Sequence, residues 1–415
     1  MSNDDTLLIH CGRLVTCDPE RATDDDPLGA ADDQSLVVQA GRVVAIGAAD
    51  ALTAQFPQAR VIDHRGGLVT PGLVDAHTHA AWVGSRGTEY AMRMAGADYE
   101  QISAAGGGIV ASMRAVREAS LPELTDALAR RLSRMAALGV TAVEVKSGYG
   151  LDEVSERRQL EAAARAGARA DLPAVVPTFL GLHAVPPEAK GDRDGHGERC
   201  LQWLEGIAAD ALATYVDAYV DRSAFSVAQA RPVLARAKEL GLGVRIHVGQ
   251  FADVGGAELA AELGAASADH LENVSAAGVD ALAKAGVHAV LLPVASFTLR
   301  QAPPPVDRFR QAGVEMVVAS DANPGTAPTE SLPLAMALAV RSYGMSVSET
   351  VLGATRRAAA SLGLDGGLLR PGGVADLVLW NLPGEDDLIQ PWGGPMARLV
   401  LRAGLPIAGS LRDDV

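Results

Sequence analysis

The middle of the chain alternates short apolar runs with longer helical stretches, and this alternation restricts the possible folds more than any other feature. Residues 141–146 and 243–248 are typical of buried strands, whereas residues 121–138 have the Ala-, Arg- and Leu-rich composition of a helix. Repeated strand–helix units of this length build a parallel sheet with crossover helices. Because the alternation continues from residue 67 to residue 363, it predicts a (β/α)8 TIM-like barrel, with an open doubly wound sheet as the alternative.

Strand patterns also occupy both ends of the chain. Residues 35–39 and 42–46 flank Ala40-Gly41, which is a hairpin signal, and residues 375–380 and 397–404 again alternate around glycines. We therefore expect one small β-sandwich-like domain assembled from both termini. The predicted organisation is an α/β protein with a small β domain at 1–66 plus 364–415 and a catalytic barrel at 67–363.

The chain is acidic, with 36 Lys and Arg residues, 51 Asp and Glu residues and a formal net charge of −15 at pH 7. This charge disfavours binding to nucleic acid or to an anionic membrane. No apolar run approaches the roughly 18 residues that span a bilayer, and the acidic start lacks a signal-peptide pattern. Cys11, Cys17 and Cys200 are odd in number and contain no CxxC pair, which favours a reducing compartment. We expect a cytoplasmic enzyme with a small-molecule substrate.

Two histidines follow the first predicted barrel strand. His77 and His79 come at the end of the apolar run 68–76 and are spaced i, i+2. On a strand this spacing places both imidazoles on one face, where they can converge on a single metal ion. Taken alone, the pair is equally compatible with buried structural histidines.

Three more predicted strands end in side chains that bind metals. His247, His270 and Asp321 each close an apolar run. Active sites of (β/α)8 barrels form where the strands end, so four strand ends with such side chains predict a metal site there. Four other histidines lack this placement and are expected to be structural or surface residues: His10, His64, His196 and His288. Gly106-Gly107-Gly108 is not part of a GxGxxG pattern and predicts a lid or turn rather than a phosphate-binding loop.

The segments at these strand ends resemble those of the amidohydrolase superfamily. The superfamily pattern is PGLVDAHTH at 71–79, with His247, His270 and Asp321 on strands 5, 6 and 8. Within that superfamily, three longer segments resemble the imidazolonepropionase family, and they read KSGYGL at 146–151, HAVPPE at 183–188 and SDANPGT at 320–326. The resemblance implies metal-dependent hydrolysis of the cyclic amide C–N bond of 4-imidazolone-5-propanoate to N-formimidoyl-L-glutamate, a step of L-histidine degradation.

The resemblance also implies the site residues. One Zn²⁺ or Fe³⁺ per chain would be held by His77, His79, His247 and Asp321. Residues 175–183, which we assign to strand 4, contain no lysine that could be carboxylated to bridge two metals, so we expect a mononuclear site. The implied substrate contacts are Arg86, Tyr149, His183, Gln250, Asn323, Gly325 and Thr326. Of these, Arg86 suits a propionate group, because a guanidinium binds a carboxylate through two parallel hydrogen bonds.

The implied catalytic group consists of Asp321, His270 and Gln250. Asp321 would take the proton of the attacking water, and His270 would stabilise the oxyanion that forms on the substrate carbonyl. Gln250 stands where some relatives carry Glu. A carboxamide cannot serve as a general base, so a mechanism that needs a Glu there does not apply to this chain.

Three other functions remain possible from the sequence. An aminohydrolase acting on a purine or pyrimidine would need the HxxE glutamate that Gln250 replaces. A non-catalytic scaffold would have no reason to keep four converging metal-binding groups. Another cyclic amidase would usually need the bridging lysine and two metals. A homodimer is the expected state for an enzyme of this size.

Overall fold

The computed structural model describes residues 6–97, 101, 107–222, 224–392 and 396–411. Gly106 of the glycine-rich segment lies outside the described residues. The strands in chain order are β1 (Leu7–Val15), β2 (Ala30–Asp32), β3 (Gln34–Gln39), β4 (Arg42–Ala48), β5 (Arg60–Pro71), β6 (Leu73–Asp75), β7 (Val140–Lys146), β8 (Ala174–Leu182), β9 (Tyr215–Val220), β10 (Gly243–Val248), β11 (Ser267–His270), β12 (His288–Leu291), β13 (Met316–Val318), β14 (Leu377–Trp380), β15 (Ala397–Arg402) and β16 (Leu405–Gly409).

The helices lie mostly between the barrel strands. In chain order they are α1 (Ala49–Gln55), α2 (Gly87–Met94), α3 (Ile109–Glu118), α4 (Leu121–Ala137), α5 (Glu153–Gly167), α6 (Arg193–Ala209), α7 (Val227–Glu239), α8 (Gly256–Leu263), α9 (Ala276–Ala285), α10 (Pro293–Leu299), α11 (Val306–Ala312), α12 (Leu332–Tyr343), α13 (Val347–Gly353) and α14 (Arg356–Ser361). Short 3₁₀ turns occupy Pro187–Ala189 and Glu385–Leu388. None of the helices in the described residues combines the length and apolar character needed to cross a membrane.

Local sequence explains where several of these helices begin. Ser120 caps α4 and Ser226 caps α7, and each serine accepts the N–H of a Glu or Gln three residues later whose side chain returns the bond. This capping box satisfies backbone donors that have no partner inside the helix. The two helices therefore begin directly after these serines.

Strands from both termini form a single sheet. Its order is β16-β15-β14-β5-β1-β3-β4, with β2 paired to β1, and β1 runs parallel to β5. One face carries its own core, which includes Ile9, Leu36, Val69, Leu377 and Leu401. The predicted β domain built from both ends of the chain is thus confirmed. Its boundary stays a prediction, and β5 continues in this sheet to Pro71, beyond the predicted limit at residue 66.

The second sheet is the predicted barrel. Strands β6 to β13 pair in sequence order, and every pair is parallel. The ring closes just beyond the strand ends, where Asp321 N–H donates to His77 O (3.1 Å) and His79 N–H donates to Ala322 O (3.0 Å). The predicted (β/α)8 class is confirmed, and the open-sheet alternative is wrong.

Charged side chains occupy the inside of this barrel. Five of them are fully buried and come from strands β7, β9, β10 and β11: Glu144, Lys146, Asp217, Arg245 and Asp269. A buried charge is costly unless it is paired, so this layer must be internally compensated. It lies directly beneath the histidines at the strand ends.

Candidate metal centre

Three histidines and one aspartate converge at the carboxyl ends of the barrel strands. His77 and His79 follow β6, His247 lies on β10, and the ligand nitrogens of the three lie within 4.8 Å of one another. His79 Nε2 is 3.3 Å from His247 Nε2. Asp321 Oδ1 lies 3.6 Å from His77 Nε2 and 3.5 Å from His79 Nε2. The four predicted metal-binding residues therefore come together.

The spacing of these atoms fits a metal ion. Four ligands at about 2.0–2.1 Å in a tetrahedron are separated from one another by about 3.3–3.4 Å. His77 Nε2 and Asp321 Oδ1 are buried and have no hydrogen-bond partner, which is costly unless an ion takes their lone pairs. Burial lowers the pKa of His77 and His79 well below the usual range and that of His247 to about 4. The imidazoles are thus neutral, the form that binds metals.

Two buried carboxylates orient the histidine rings. Asp269 Oδ2 is 2.6 Å from His77 Nδ1, and Asp217 Oδ2 is 2.9 Å from His247 Nδ1. A carboxylate at Nδ1 favours the tautomer with hydrogen on that nitrogen, so that the lone pair of Nε2 points toward the ligand cluster. Sequence reasoning did not single out Asp217 or Asp269. The available signal was an acidic residue inside each of two strand-like segments, YVDAYV and SADH.

The strand assignment behind the mononuclear prediction was wrong in one respect. Residues 175–183 lie on β8 and at its end, and β8 is the third barrel strand rather than the fourth. The fourth strand is β9, because the helical connection after β8 leads to one further strand before β10. Its sequence, YVDAYV, also contains no lysine. The expectation of a single metal ion therefore still rests on the absence of a lysine from the fourth strand.

His270 ends β11 beside the cluster. Its ring centroid lies 5.5 Å from that of His247, and its Nδ1 is 3.7 Å from Glu272 Oε2. Glu272 Oε1 accepts the hydroxyl of Ser296 (2.5 Å), which also bonds to the Tyr343 hydroxyl (2.6 Å). Glu272 is thereby held next to His270, whose backbone has a φ of 81°. Such a conformation is strained for a side chain other than glycine and is common at functional sites.

Two predicted substrate contacts, His183 and Tyr149, lie beside the ligand cluster. His183 stacks on His79 with 4.9 Å between ring centroids, and its Nδ1 bonds to Gly148 O (2.8 Å). The opposite nitrogen of His183 is therefore available to a ligand. The Tyr149 ring is 5.8 Å from His79 and 5.4 Å from His183. Burial raises the pKa of Tyr149, so its hydroxyl keeps its proton.

Arg86 approaches this pocket beside Gly325. A Cβ on Gly325 would lie 2.5 Å from Arg86 Nη1, so only glycine leaves room for the guanidinium in this position. The Nε–Nη2 edge of Arg86 is held by Glu89, with 2.8 Å from Nε to Oε2. Glu89 also accepts the N–H of Gly108 at 2.7 Å. The glycine-rich segment is thus tied to Arg86, and the Nη1 side of Arg86 remains for an anion.

Asn323 and Gln250 are held by neighbouring groups. Asn323 Oδ1 accepts the N–H groups of Gly325 (2.8 Å) and Thr326 (2.7 Å), and its amide donates to Asp321 O (2.7 Å). The loop after Asp321 is shaped by these bonds. Gln250 Oε1 accepts the hydroxyl of Tyr219 at 2.6 Å, a residue that sequence reasoning missed. Direct substrate contacts by Asn323, Thr326 and Gln250 stay predictions.

The four histidines predicted to be structural bond to the protein itself. His10 pairs with Ser35, while His64, His196 and His288 each bond to a backbone carbonyl. In each of these histidines one ring nitrogen is occupied by a hydrogen bond, and all four lie outside the ligand cluster.

Comparison with known families agrees with this geometry. The family model described as "Amidohydrolase family" matches residues 68–404. The chain belongs to the amidohydrolase family. A second model, described as "Imidazolonepropionase-like composite domain, bacteria", matches residues 36–59, which contain most of β3, all of β4 and α1.

The sequence similarity to curated relatives covers almost the whole chain. An imidazolonepropionase from Polaromonas sp. (strain JS666) is 44% identical over 93% of this chain and 92% of its own length. One from Ralstonia nicotianae is 45% identical over 93% of this chain and 95% of its own. The resemblance predicted from the sequence is confirmed. Among solved structures, an adenosine deaminase from Xanthomonas campestris with bound zinc has a TM-score of 0.72 and 20% sequence identity. The match covers 97% of this chain and 92% of the deaminase chain, so the two proteins share a fold.

Proposed function

We propose that this protein hydrolyses the cyclic amide C–N bond of 4-imidazolone-5-propanoate and releases N-formimidoyl-L-glutamate. The observation that carries the proposal is the convergence of His77, His79, His247 and Asp321 at one end of the barrel. The imidazolonepropionases to which the chain is similar support both the enzyme class and the place of this reaction in histidine degradation.

The site fits one Zn²⁺ or Fe³⁺. Three imidazoles and one carboxylate suit either ion. When bound, such an ion polarises a carbonyl oxygen and lowers the pKa of a coordinated water. Two ions would need a bridging ligand, and β9 offers no lysine for carboxylation.

Asp321 and His270 supply the proton transfers and the electrostatic stabilisation. Asp321 accepts a proton from the attacking water and returns it to the ring nitrogen as the C–N bond breaks. His270 faces the ligand cluster from β11 and stabilises the negative charge that develops on the carbonyl oxygen. Glu272, fixed by Ser296, keeps the ring of His270 in this orientation.

The remaining groups select the substrate. Arg86 binds the propionate through the side of the guanidinium that Glu89 leaves open. Tyr149 and His183 line the space above His79, where a flat heterocycle would meet hydrogen-bonding side chains. Gln250 offers the amide nitrogen, because Tyr219 occupies its oxygen.

The direct test is an ultraviolet assay of imidazolone propionate loss with purified full-length protein. We expect turnover, formation of N-formimidoyl-L-glutamate, loss of activity after chelation and recovery when Zn²⁺ or Fe³⁺ is restored. Activity that survives complete metal removal would overturn the mechanism. A cytoplasmic location and a homodimer, both expected from the sequence, stay predictions.

A further inference from the structure

Lys146 is the first residue of the KSGYGL segment and a buried cation that has no role in the proposed reaction. It ends β7, the second barrel strand, and its side chain has no exposed surface. Its Nζ is 2.8 Å from Glu144 Oε1, 2.8 Å from Asp217 Oδ2 and 3.8 Å from Asp269 Oδ2. Burial opposes the charged form, yet the three carboxylates raise the pKa of Lys146 above its usual value. The group is therefore an ammonium ion in a ring of carboxylates.

Each of these carboxylates contacts part of the ligand cluster. The Asp217 oxygen that meets Lys146 also lies 2.9 Å from His247 Nδ1. The Asp269 oxygen nearest Lys146 is the one 2.6 Å from His77 Nδ1.

The third carboxylate connects Lys146 to the backbone of the ligand segment. Glu144 Oε2 accepts the N–H of Thr78, the residue between His77 and His79, at 3.1 Å. The backbone N–H of Lys146 donates to Thr78 O at 3.0 Å. Lys146 is thus one contact away from the carboxylates beside His77 and His247 and from the backbone between His77 and His79.

We propose that Lys146 is a positioning residue for the metal centre, acting through Asp217, Asp269 and Glu144. Lys146 compensates their negative charge, together with Arg245 at Asp269. It thereby keeps two carboxylates facing His77 Nδ1 and His247 Nδ1, so that the Nε2 atoms face the ion. This role rests on the proposed metal-dependent function and deepens it. It also excludes Lys146 as a carboxylated bridging ligand, since a carbamate would place a further negative charge among three carboxylates.

The test compares the zinc affinity of metal-free full-length variants by competition with a chelating dye. Lys146→Met removes the charge at similar size, and Lys146→Gln removes it while keeping N–H donors. We expect the dissociation constant for zinc to rise about 10- to 100-fold, as is typical when a group supporting metal ligands is lost. With saturating zinc, kcat should fall while KM stays within about threefold, because Lys146 does not reach the substrate pocket.

A matched control separates this role from general loss of stability. Leu132→Ala creates a cavity in α4, which packs on the outside of the barrel, and should lower the melting temperature without changing zinc affinity. If either Lys146 variant folds, as judged by circular dichroism, and binds zinc within threefold of wild type, the proposal is overturned. Zinc binding is measured without substrate, so a wild-type protein that binds zinc but leaves imidazolone propionate intact would overturn only the proposed function.

Discussion

The backbone N–H of Asp321 donates to the carbonyl of His77 at 3.1 Å, and the side chains of the same two residues face each other across the ligand cluster at 3.6 Å. The hydrogen bond that joins the last barrel strand to the first therefore also sets the distance between two proposed metal ligands. Closure of the barrel and assembly of the site depend on the same contact, because His77 and Asp321 follow β6 and β13, the two strands at the ends of the sheet. This relationship makes the site sensitive to small changes at the strand ends.

Asp321→Asn should remove turnover while the barrel stays folded. The carboxamide keeps the shape of the side chain but cannot accept a proton from water, and a positioned general base typically contributes on the order of 100- to 10,000-fold. We expect kcat to fall by at least about 100-fold and the amount of metal bound per chain to decrease. Asp307→Asn, at an exposed carboxylate, serves as the control. An active, fully metal-loaded Asp321→Asn variant would disprove the assigned role.

Gly325→Ala should impair substrate binding without affecting stability. The new Cβ would lie 2.5 Å from Arg86 Nη1 and displace the guanidinium from the pocket. Loss of a charged hydrogen bond costs about 1.5–3 kcal/mol, which corresponds to roughly a 10- to 150-fold increase in KM. Gly66→Ala is the matched control, since its Cβ would meet nothing within 4 Å. An unchanged KM in Gly325→Ala would argue against propionate binding by Arg86.

Tyr219→Phe should reduce activity moderately. The variant loses the hydroxyl that donates to Gln250 Oε1 at 2.6 Å, so the carboxamide is free to rotate away from the substrate ring. A neutral hydrogen bond contributes about 0.5–1.5 kcal/mol, and kcat/KM should therefore fall roughly 2- to 12-fold. Steady-state kinetics with Tyr90→Phe, an exposed tyrosine, provide the comparison. Equal kinetics in both variants would contradict an orienting role for Tyr219.

His64 should make the sheet built from both termini less stable in acid. Burial, helped by Arg398, lowers the pKa of His64, which bonds to Trp380 O at 2.9 Å in the native state. The native pKa lies below the unfolded value of about 6.5, so the stabilisation is present above pH 6.5 and is lost as the pH falls below it.

The variant His64→Gln tests this pH dependence. Glutamine keeps an N–H donor but does not titrate, so the decrease in melting temperature between pH 7.5 and pH 5 should be smaller than in wild type. Parallel decreases in the two proteins would show that the pKa of His64 is the same in the native and unfolded states, contrary to this account.

Much of the fold and of the ligand set could be predicted from local patterns. Strand–helix alternation identified the barrel, and the i, i+2 spacing of His77 and His79 indicated a shared face. The number of the strand before His183 was wrong because β9 was overlooked, since its YVDAYV sequence contains an acidic residue that interrupts the apolar pattern.

The supporting contacts were missed because their partners are distant in the chain. Lys146 and Asp217 are separated by 71 positions, and His77 and Asp269 by 192. A lysine in a strand pattern predicts an exposed position, and only closure of the barrel surrounds it with three carboxylates. The pairing of Arg86 with Glu89 was local, but nothing in the sequence indicated which side of the guanidinium would stay open.

The sequence by itself determined the fold class, the residue types at the strand ends and the likeness to one hydrolase family, since these depend on short-range periodicity and on motifs. The tertiary structure alone decided which nitrogen of each histidine faces the metal position and why a lysine is buried beneath it. The physical reason is that the cost of burying a charge depends on all the groups around it, and those groups meet only in the closed barrel.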